Sequence, residues 1–184
     1  MNTKLIPATP FGPIVLVWSE LRGRPKIFRV LLSQPGLSAA DRATALFPEA
    51  VRSSCPEIDD LASSIRAFLR GQTVAFPLDV AVLSACPPFQ QSVLRAEHAI
   101  PRGRVSTYGL IARRLGDSHA ARAVGNALAT NPFPLIVPCH RAVKSDGSLG
   151  GFQGGPAMKR ALLEREGIPF DRAGRVAGRR FHYA

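Results

Sequence analysis

The chain has 184 residues, enough for one ordinary domain or two small ones. Its 46% hydrophobic and 20% charged content is that of a globular protein and excludes a disordered chain, and no apolar run approaches the roughly 18 residues of a membrane-spanning helix. The net charge of +11 is unevenly placed: residues 1–83 carry 9 basic and 7 acidic groups, whereas residues 84–184 carry 15 and 6.

Met1 to Pro10 has one Lys and no long apolar run, a poor secretory signal. The first predicted elements are β-rich runs at Ile14–Trp18 and Ile27–Leu32. They flank the turn Arg22-Gly23-Arg24-Pro25 and so suggest an antiparallel hairpin. Ser38 is placed to cap a short helix over Ala39–Leu46. A firmer helix is predicted from Glu57 to Arg70, where Ile58, Leu61, Ile65, Phe68 and Leu69 recur at helical spacing before Gly71. Val74–Leu83 resembles a further strand and linker leading to Pro87-Pro88. The fold class expected is α+β. Residues 1–83 form a small N-terminal domain with an antiparallel sheet and helices, 84–170 a mainly helical domain, and 171–184 a basic tail.

In the second half a helix is predicted over Phe89–Ala99 and broken at Pro101-Arg102-Gly103. Tyr108–Leu115 and His119–Thr130 are two short helices around Gly116-Asp117-Ser118, the pattern of a helix-turn-helix, which by itself also describes any helical hairpin. In the second helix Ala121, Val124 and Leu128 share one face, while Arg122 and Asn126 point elsewhere among the small residues Ala123, Gly125, Ala127 and Ala129. Such a helix can approach a nucleic-acid groove closely, or pack tightly on another helix. The excess of positive charge in this half is the footprint of a polyanion-binding module, although a generally Arg-rich composition produces the same count.

Three cysteines far apart (Cys55, Cys86, Cys139), with no CxxC pair, argue against a disulfide framework and a structural zinc site. A cytoplasmic, metal-free protein is expected. Pro138-Cys139-His140-Arg141 follows the strand-like run Leu135-Ile136-Val137. A free Cys is more often inert core than nucleophile. Here a neighbouring His and Arg, and the glycine-rich loop Gly147–Gly155, favour an activated thiol whose pKa is corrected by a base or a positive field. Consecutive residues of an extended chain face opposite ways, so His140 needs a turn or a bridging water to serve Cys139. Glu166, ending a helix over Ala157–Glu166 whose Met158, Ala161 and Leu162 can face inward, is a candidate to orient the imidazole; a solvated surface carboxylate is the alternative. The loop lacks P-loop spacing. Its glycines would let the backbone approach a flat ligand, with Phe152 or Tyr108 against the ligand's face.

These segments in order are specific enough to place the chain beside a known family. They are Ile100-Pro101-Arg102-Gly103, Val105 through Ala112, Arg122-Ala123-Val124-Gly125-Asn126-Ala127, Asn131-Pro132-Phe133-Pro134, Ile136 through Arg141, Leu149-Gly150-Gly151-Phe152 with Gly154-Gly155, and Lys159 through Gly167. Together they resemble the methylated-DNA–protein-cysteine methyltransferases, or alkylguanine-DNA alkyltransferases. The resemblance implies irreversible transfer of an alkyl group from guanine O6, or thymine O4, in double-stranded DNA to Cys139, once per molecule, by a monomer without cofactor.

It also implies roles. His140 would act as base through a water, Glu166 would orient it, and Asn131 would brace the active-site turn. Arg122 would replace the extruded nucleotide, with Ala123, Gly125 and Asn126 on the DNA-binding helix. Tyr108 would assist rotation and polarise the base, and with Pro134, Ala142, Phe152 and Gln153 would line its pocket. Ala142 and Phe152 stand where Val and Tyr are frequent, which bears on pocket width. Two other readings fit parts of the pattern: a cysteine hydrolase using Cys139, His140 and Glu166, and a DNA-binding module with a structural Cys139.

Overall fold

The computed structural model describes residues 1–178 and 180–184. The chain clusters into two compact units, Met1–Ala85 with Pro132–Ile136, and Cys86–Asn131 with Val137–Ala184.

The first unit is a four-stranded sheet with two helices. Strands β1 (Asn2–Ile6), β2 (Ile14–Leu21) and β3 (Arg24–Leu32) are antiparallel, and the short β4 (Val51–Arg52) adds in parallel to β1, giving the order β3-β2-β1-β4. The predicted hairpin is β2–β3, turning through Arg22 and Gly23, both at positive φ. The continuous run Ile14–Trp18 is buried throughout, as expected of a strand covered on both faces. Helix α1 (Ala39–Leu46) starts where its cap was predicted: the Ser38 hydroxyl accepts from the Asp41 amide at 3.1 Å. Its Ala39 and Ala43 pack on Val15, Val17 and Leu31. Helix α2 (Pro56–Leu69) buries Ile58, Ala62, Ile65, Phe68 and Leu69, and Gly71 follows at φ 93.

Strand β1 was not foreseen, nor was β4. The strand predicted within Val74–Leu83 is not formed. That stretch makes 3₁₀ turns at Leu78–Val80 and Leu83–Ala85, and touches β3 through a single bridge between Ile27 and Ala81. Pro77 has no amide to donate to a ladder, and the segment turns immediately after it.

The second unit carries α3 (Pro88–His98), α4 (Tyr108–Arg114), α5 (Ala121–Ala129) and α6 (Gly155–Arg165). A two-stranded parallel pair, β5 (Ser106–Thr107) and β6 (Ala142–Val143), was also unforeseen. Helices α4 and α5 pack on each other and on α3, and form the predicted helix-turn-helix. Thr107 caps α4 by accepting from the Leu110 amide at 3.1 Å, and Asp117 accepts from the His119 amide at 2.8 Å in the turn. Helix α5 begins two residues later than expected, because 118–120 complete that turn.

Two domain boundaries differ from the sequence reading. Residues 132–136 cluster with the first unit, where the Val30 amide donates to Pro132 O at 2.8 Å. The basic tail is not separate. Val176 is buried with Val105, Val143, Leu163 and Ile168, with Phe170 and Phe181 packed against them. The Val105 amide donates to Arg180 O at 2.9 Å and the His182 amide to Val105 O at 2.7 Å. Apolar residues interleaved with the arginines are what draw this segment onto the unit. Arg179 lies outside the described residues.

Candidate active site

Leu135-Ile136-Val137 is not a strand. Leu135 is buried at φ 77, a conformation L-residues rarely adopt, and the chain bends between Pro134 and Pro138. Cys139–Arg141 then forms a 3₁₀ turn, in which the Cys139 amide donates to Val137 O and the Arg141 amide to Pro138 O, both at 2.8 Å. This supplies the turn that an extended chain would have lacked.

All three side chains of the turn are buried. Asn131 Nδ2 donates to Val137 O at 3.3 Å, and its side chain also reaches the Cys139 thiol. Gln153 Nε2 donates to Asn131 O at 3.2 Å, linking the glycine loop to the same corner. The expected depression of the thiol pKa does not occur in the free protein. Burial pushes it up to about 11, outweighing the Asn131 hydrogen bond and the nearby Lys159 cation, while Glu97 adds to the rise. The resting sulfur is a thiol.

His140 and Glu166 are brought together: imidazole Nε2 and carboxylate Oε1 lie 2.9 Å apart, with neither side chain accessible. Glu166 also accepts from Arg141, at 2.9 Å from Nε and 2.8 Å from Nη2. Burial alone would raise the Glu166 carboxyl, but its bonds to His140 and Arg141 bring it down to about 2. Burial lowers the His140 pKa in spite of Glu166, so the imidazole is neutral. A neutral ring beside a permanent carboxylate donates Nε2–H to it, which leaves Nδ1 as the basic nitrogen. The Phe152 ring stands edge-on to His140, with centroids 6.2 Å apart.

Two buried basic residues have partners that were not foreseen. Arg141 forks onto Glu166 and makes its ionisation permanent. Lys159, on α6 between inward-facing Met158 and Leu162, is fully buried and donates to Ala142 O at 2.6 Å and Gly151 O at 3.0 Å. It thereby ties the glycine loop to β6. A Lys on the apolar face of a predicted helix was the available signal. Tyr108 starts α4 half-buried, and burial raises its hydroxyl pKa. A Cβ at Gly150, itself at φ +68, would come 2.6 Å from the Tyr108 hydroxyl, so only glycine lets the loop pass there.

Arg122, Ala123 and Asn126 lie on the exposed face of α5 with Gly125 half-exposed beside them, while Val124, Ala127 and Leu128 are buried. Ala142 is buried in β6, directly after the turn. Pro134 belongs to the segment that clusters with the first unit. Among the described residues, no group of three His, Cys, Asp or Glu side chains is placed to hold a metal ion.

The profile of the 6-O-methylguanine DNA methyltransferase DNA-binding domain matches residues 88–168. A crystal structure of Mycobacterium tuberculosis OGT in complex with DNA superimposes with a TM-score of 0.71 at 30% identity, covering 90% of this chain and 92% of that one. The chain belongs to the 6-O-methylguanine DNA methyltransferase family. Another solved member, from Methanococcus jannaschii, superimposes with a TM-score of 0.59 at 28% identity, covering 85% of this chain and 90% of that one. By sequence, a methylated-DNA–protein-cysteine methyltransferase of Methanothermobacter thermautotrophicus is 46% identical over 62% of this chain and 64% of its own length. One from Haemophilus influenzae is 46% identical over 45% and 46%. The chain thus spans less than two thirds of the length of these curated relatives.

Proposed function

We propose that this family member repairs alkylated DNA directly, moving a methyl or other alkyl group from guanine O6 in duplex DNA onto Cys139 Sγ, once per molecule. The observation that carries this is a buried thiol in a rigid turn, next to a neutral imidazole whose Nε2–H is held by a carboxylate. With the thiol pKa near 11, the proton leaves as the new bond forms and does not leave beforehand. His140 Nδ1 accepts it through a water, sulfur bonds to the alkyl carbon, and the C–O6 electron pair returns to guanine, which takes up a proton. Lys159 stabilises the developing thiolate, and Arg141 and Glu166 hold the imidazole in one tautomer.

Reaching O6 requires the nucleotide to leave the stack, at a cost of a few kcal/mol. Exposed Arg122 on α5 would fill the gap, with Ala123, Gly125 and Asn126 along the same helix face. The base would rest among Tyr108, Ala142, Phe152 and Gln153, and Tyr108 would polarise it. The thioether product has no hydrolysable bond, so the protein is consumed. The reading is completed by a monomer working in the cytoplasm.

The test is to titrate the protein with excess methylated duplex and measure peptide masses. One methyl on the Cys139 peptide, none on Cys55 or Cys86, and repair ending at one equivalent are expected. Repair continuing past one equivalent would replace this reading with a turning-over cysteine enzyme.

A further inference from the structure

The nine basic and seven acidic groups of residues 1–83 are not evenly mixed. Residues 22–29 hold four cations, Arg22, Arg24, Lys26 and Arg29, and no acid, while the rest of 1–83 holds five basic and seven acidic groups. The first unit is thus slightly acidic apart from its β2–β3 hairpin, which is strongly basic.

The pairing register gathers that charge on one face. Residues directly opposite each other on paired strands point to the same side of the sheet. Arg24 lies opposite Leu21, Lys26 opposite Ser19, and Arg29 opposite Val17, whose side chain packs on α1. Arg24 and Lys26 share this face by simple alternation, which would send Arg29 to the other one. The register shift between Val17 and Trp18 leaves Phe28 as an extra residue and brings Arg29 back into line. Glu20, the one carboxylate of the two strands, pairs with Pro25 and so points to the opposite face.

The tip adds a cation where the backbone does not favour one. Arg22 and Gly23 form a two-residue turn at φ 54 and 71, the positive values that a type I′ hairpin turn needs at both positions. Gly adopts that conformation freely and Asn readily, whereas a long side chain does so at a cost. Arg22 is exposed, so no packing offsets the strain, and what its side chain offers there is charge. Arg22, Arg24 and Lys26 line one open cleft of about 600 Å³ together with Leu21 and Ser84, and no carboxylate lines it. Lys26 Nζ donates to Asp79 O and lies 3.8 Å from the Asp79 carboxylate. Arg22 and Arg24 have no acidic partner among the described residues.

We propose that the β2–β3 hairpin is a second DNA-contacting element: Arg22 and Arg24, with Lys26 and Arg29 behind them on the same face, bind backbone phosphates of duplex DNA. The inference rests on duplex DNA being the substrate of the site described above. Guanidinium forks match phosphate oxygens, and such contacts add affinity without reading sequence. Their charge is concentrated on a narrow ribbon, as a polyanion-binding footprint requires.

The experiment measures anisotropy of an undamaged labelled duplex between about 50 and 200 mM salt, a range in which phosphate contacts dominate the change in affinity. Wild type is compared with R22N/R24Q. Asn suits the left-handed turn position, so the thermal midpoint should hold or rise, and lost binding would not reflect a lost fold. The slope of log affinity against log salt should become shallower by about 0.9 for each phosphate contact removed, close to two for the pair. A control, R52Q/R70Q, removes the same charge from exposed positions elsewhere in the unit and should keep the wild-type slope. An unchanged slope in R22N/R24Q, or an equal fall in the control, would overturn the proposal.

Methyl transfer from methylated duplex to Cys139, read by peptide mass, separates the two claims. If methyl moves and the R22N/R24Q slope is that of wild type, the hairpin contact alone fails. If the slope becomes shallower and no methyl moves, the alkyl-transfer reading fails and the hairpin contact stands.

Discussion

Arg141 changes what Glu166 can do. A carboxylate that met only a neutral imidazole in the interior would be driven toward protonation, and a protonated Glu166 could not fix the His140 tautomer. With the Arg141 fork in place, Glu166 remains charged and Nδ1 remains basic. Arg141→Met should therefore slow methyl transfer and raise the pH below which it fails, a pH profile that loss of packing alone would not shift. His140→Ala should lower the transfer rate by about a hundredfold while the circular dichroism spectrum persists. The same residues set acid stability. The Glu166 pKa falls from 4.5 to about 2 on folding, so its contribution is present above pH 4.5 and is lost as pH drops toward 2. Chemical denaturation of Glu166→Gln should show a weaker acid dependence in that window. At neutral pH it should be less stable by roughly 3–5 kcal/mol, because Arg141 stays buried without its partner.

Among the elements, those with strong local signals were legible: the β2–β3 hairpin with its Gly turn, α1 with its Ser38 cap, α2 with its five apolar positions, and the helix-turn-helix. What escaped were pieces that exist only through distant partners. β1 is half-buried and owes its strand character to β2, while β4, β5 and β6 are two residues each. Leu135-Ile136-Val137 read as a strand because its composition is β-rich, but Pro134 and Pro138 on either side permit a turn instead. In the site, Cys139, His140, Glu166 and Asn131 could be named from their motif. The partners of Arg141 and Lys159 could not be read, since a fork onto a residue 25 positions away leaves no local trace. Helix α5 carries one further consequence. Gly125 has open space where a Cβ would go, so Gly125→Ala should add about 0.5–1 kcal/mol of stability through helix propensity. Gly125→Phe should leave the fold intact and weaken binding to duplex DNA at least tenfold, seen by anisotropy, if this face enters the groove.

For the whole molecule the unequal charge sets the binding behaviour. With a net of +9 on residues 84–184 against +2 on 1–83, affinity for undamaged duplex should fall steeply as salt rises and depend little on sequence. A flat salt response would mean that phosphate contacts are not what holds the DNA. The C-terminal segment bears on something else, the order in which the protein folds. Val105 is flanked in space by Arg180 and His182, and Tyr183 reaches Ala96 O at 2.9 Å, across 87 positions of chain. Contacts of that range form late, since the loop they close must first be ordered. The bonds that residues 180–184 make to Val105 and Ala96 therefore close after β5, β6 and the cluster around Val176 are in place. Until that happens Phe181 does not cover the cluster of Val105, Val143 and Leu163, and the Val105 amide and carbonyl stay open to water.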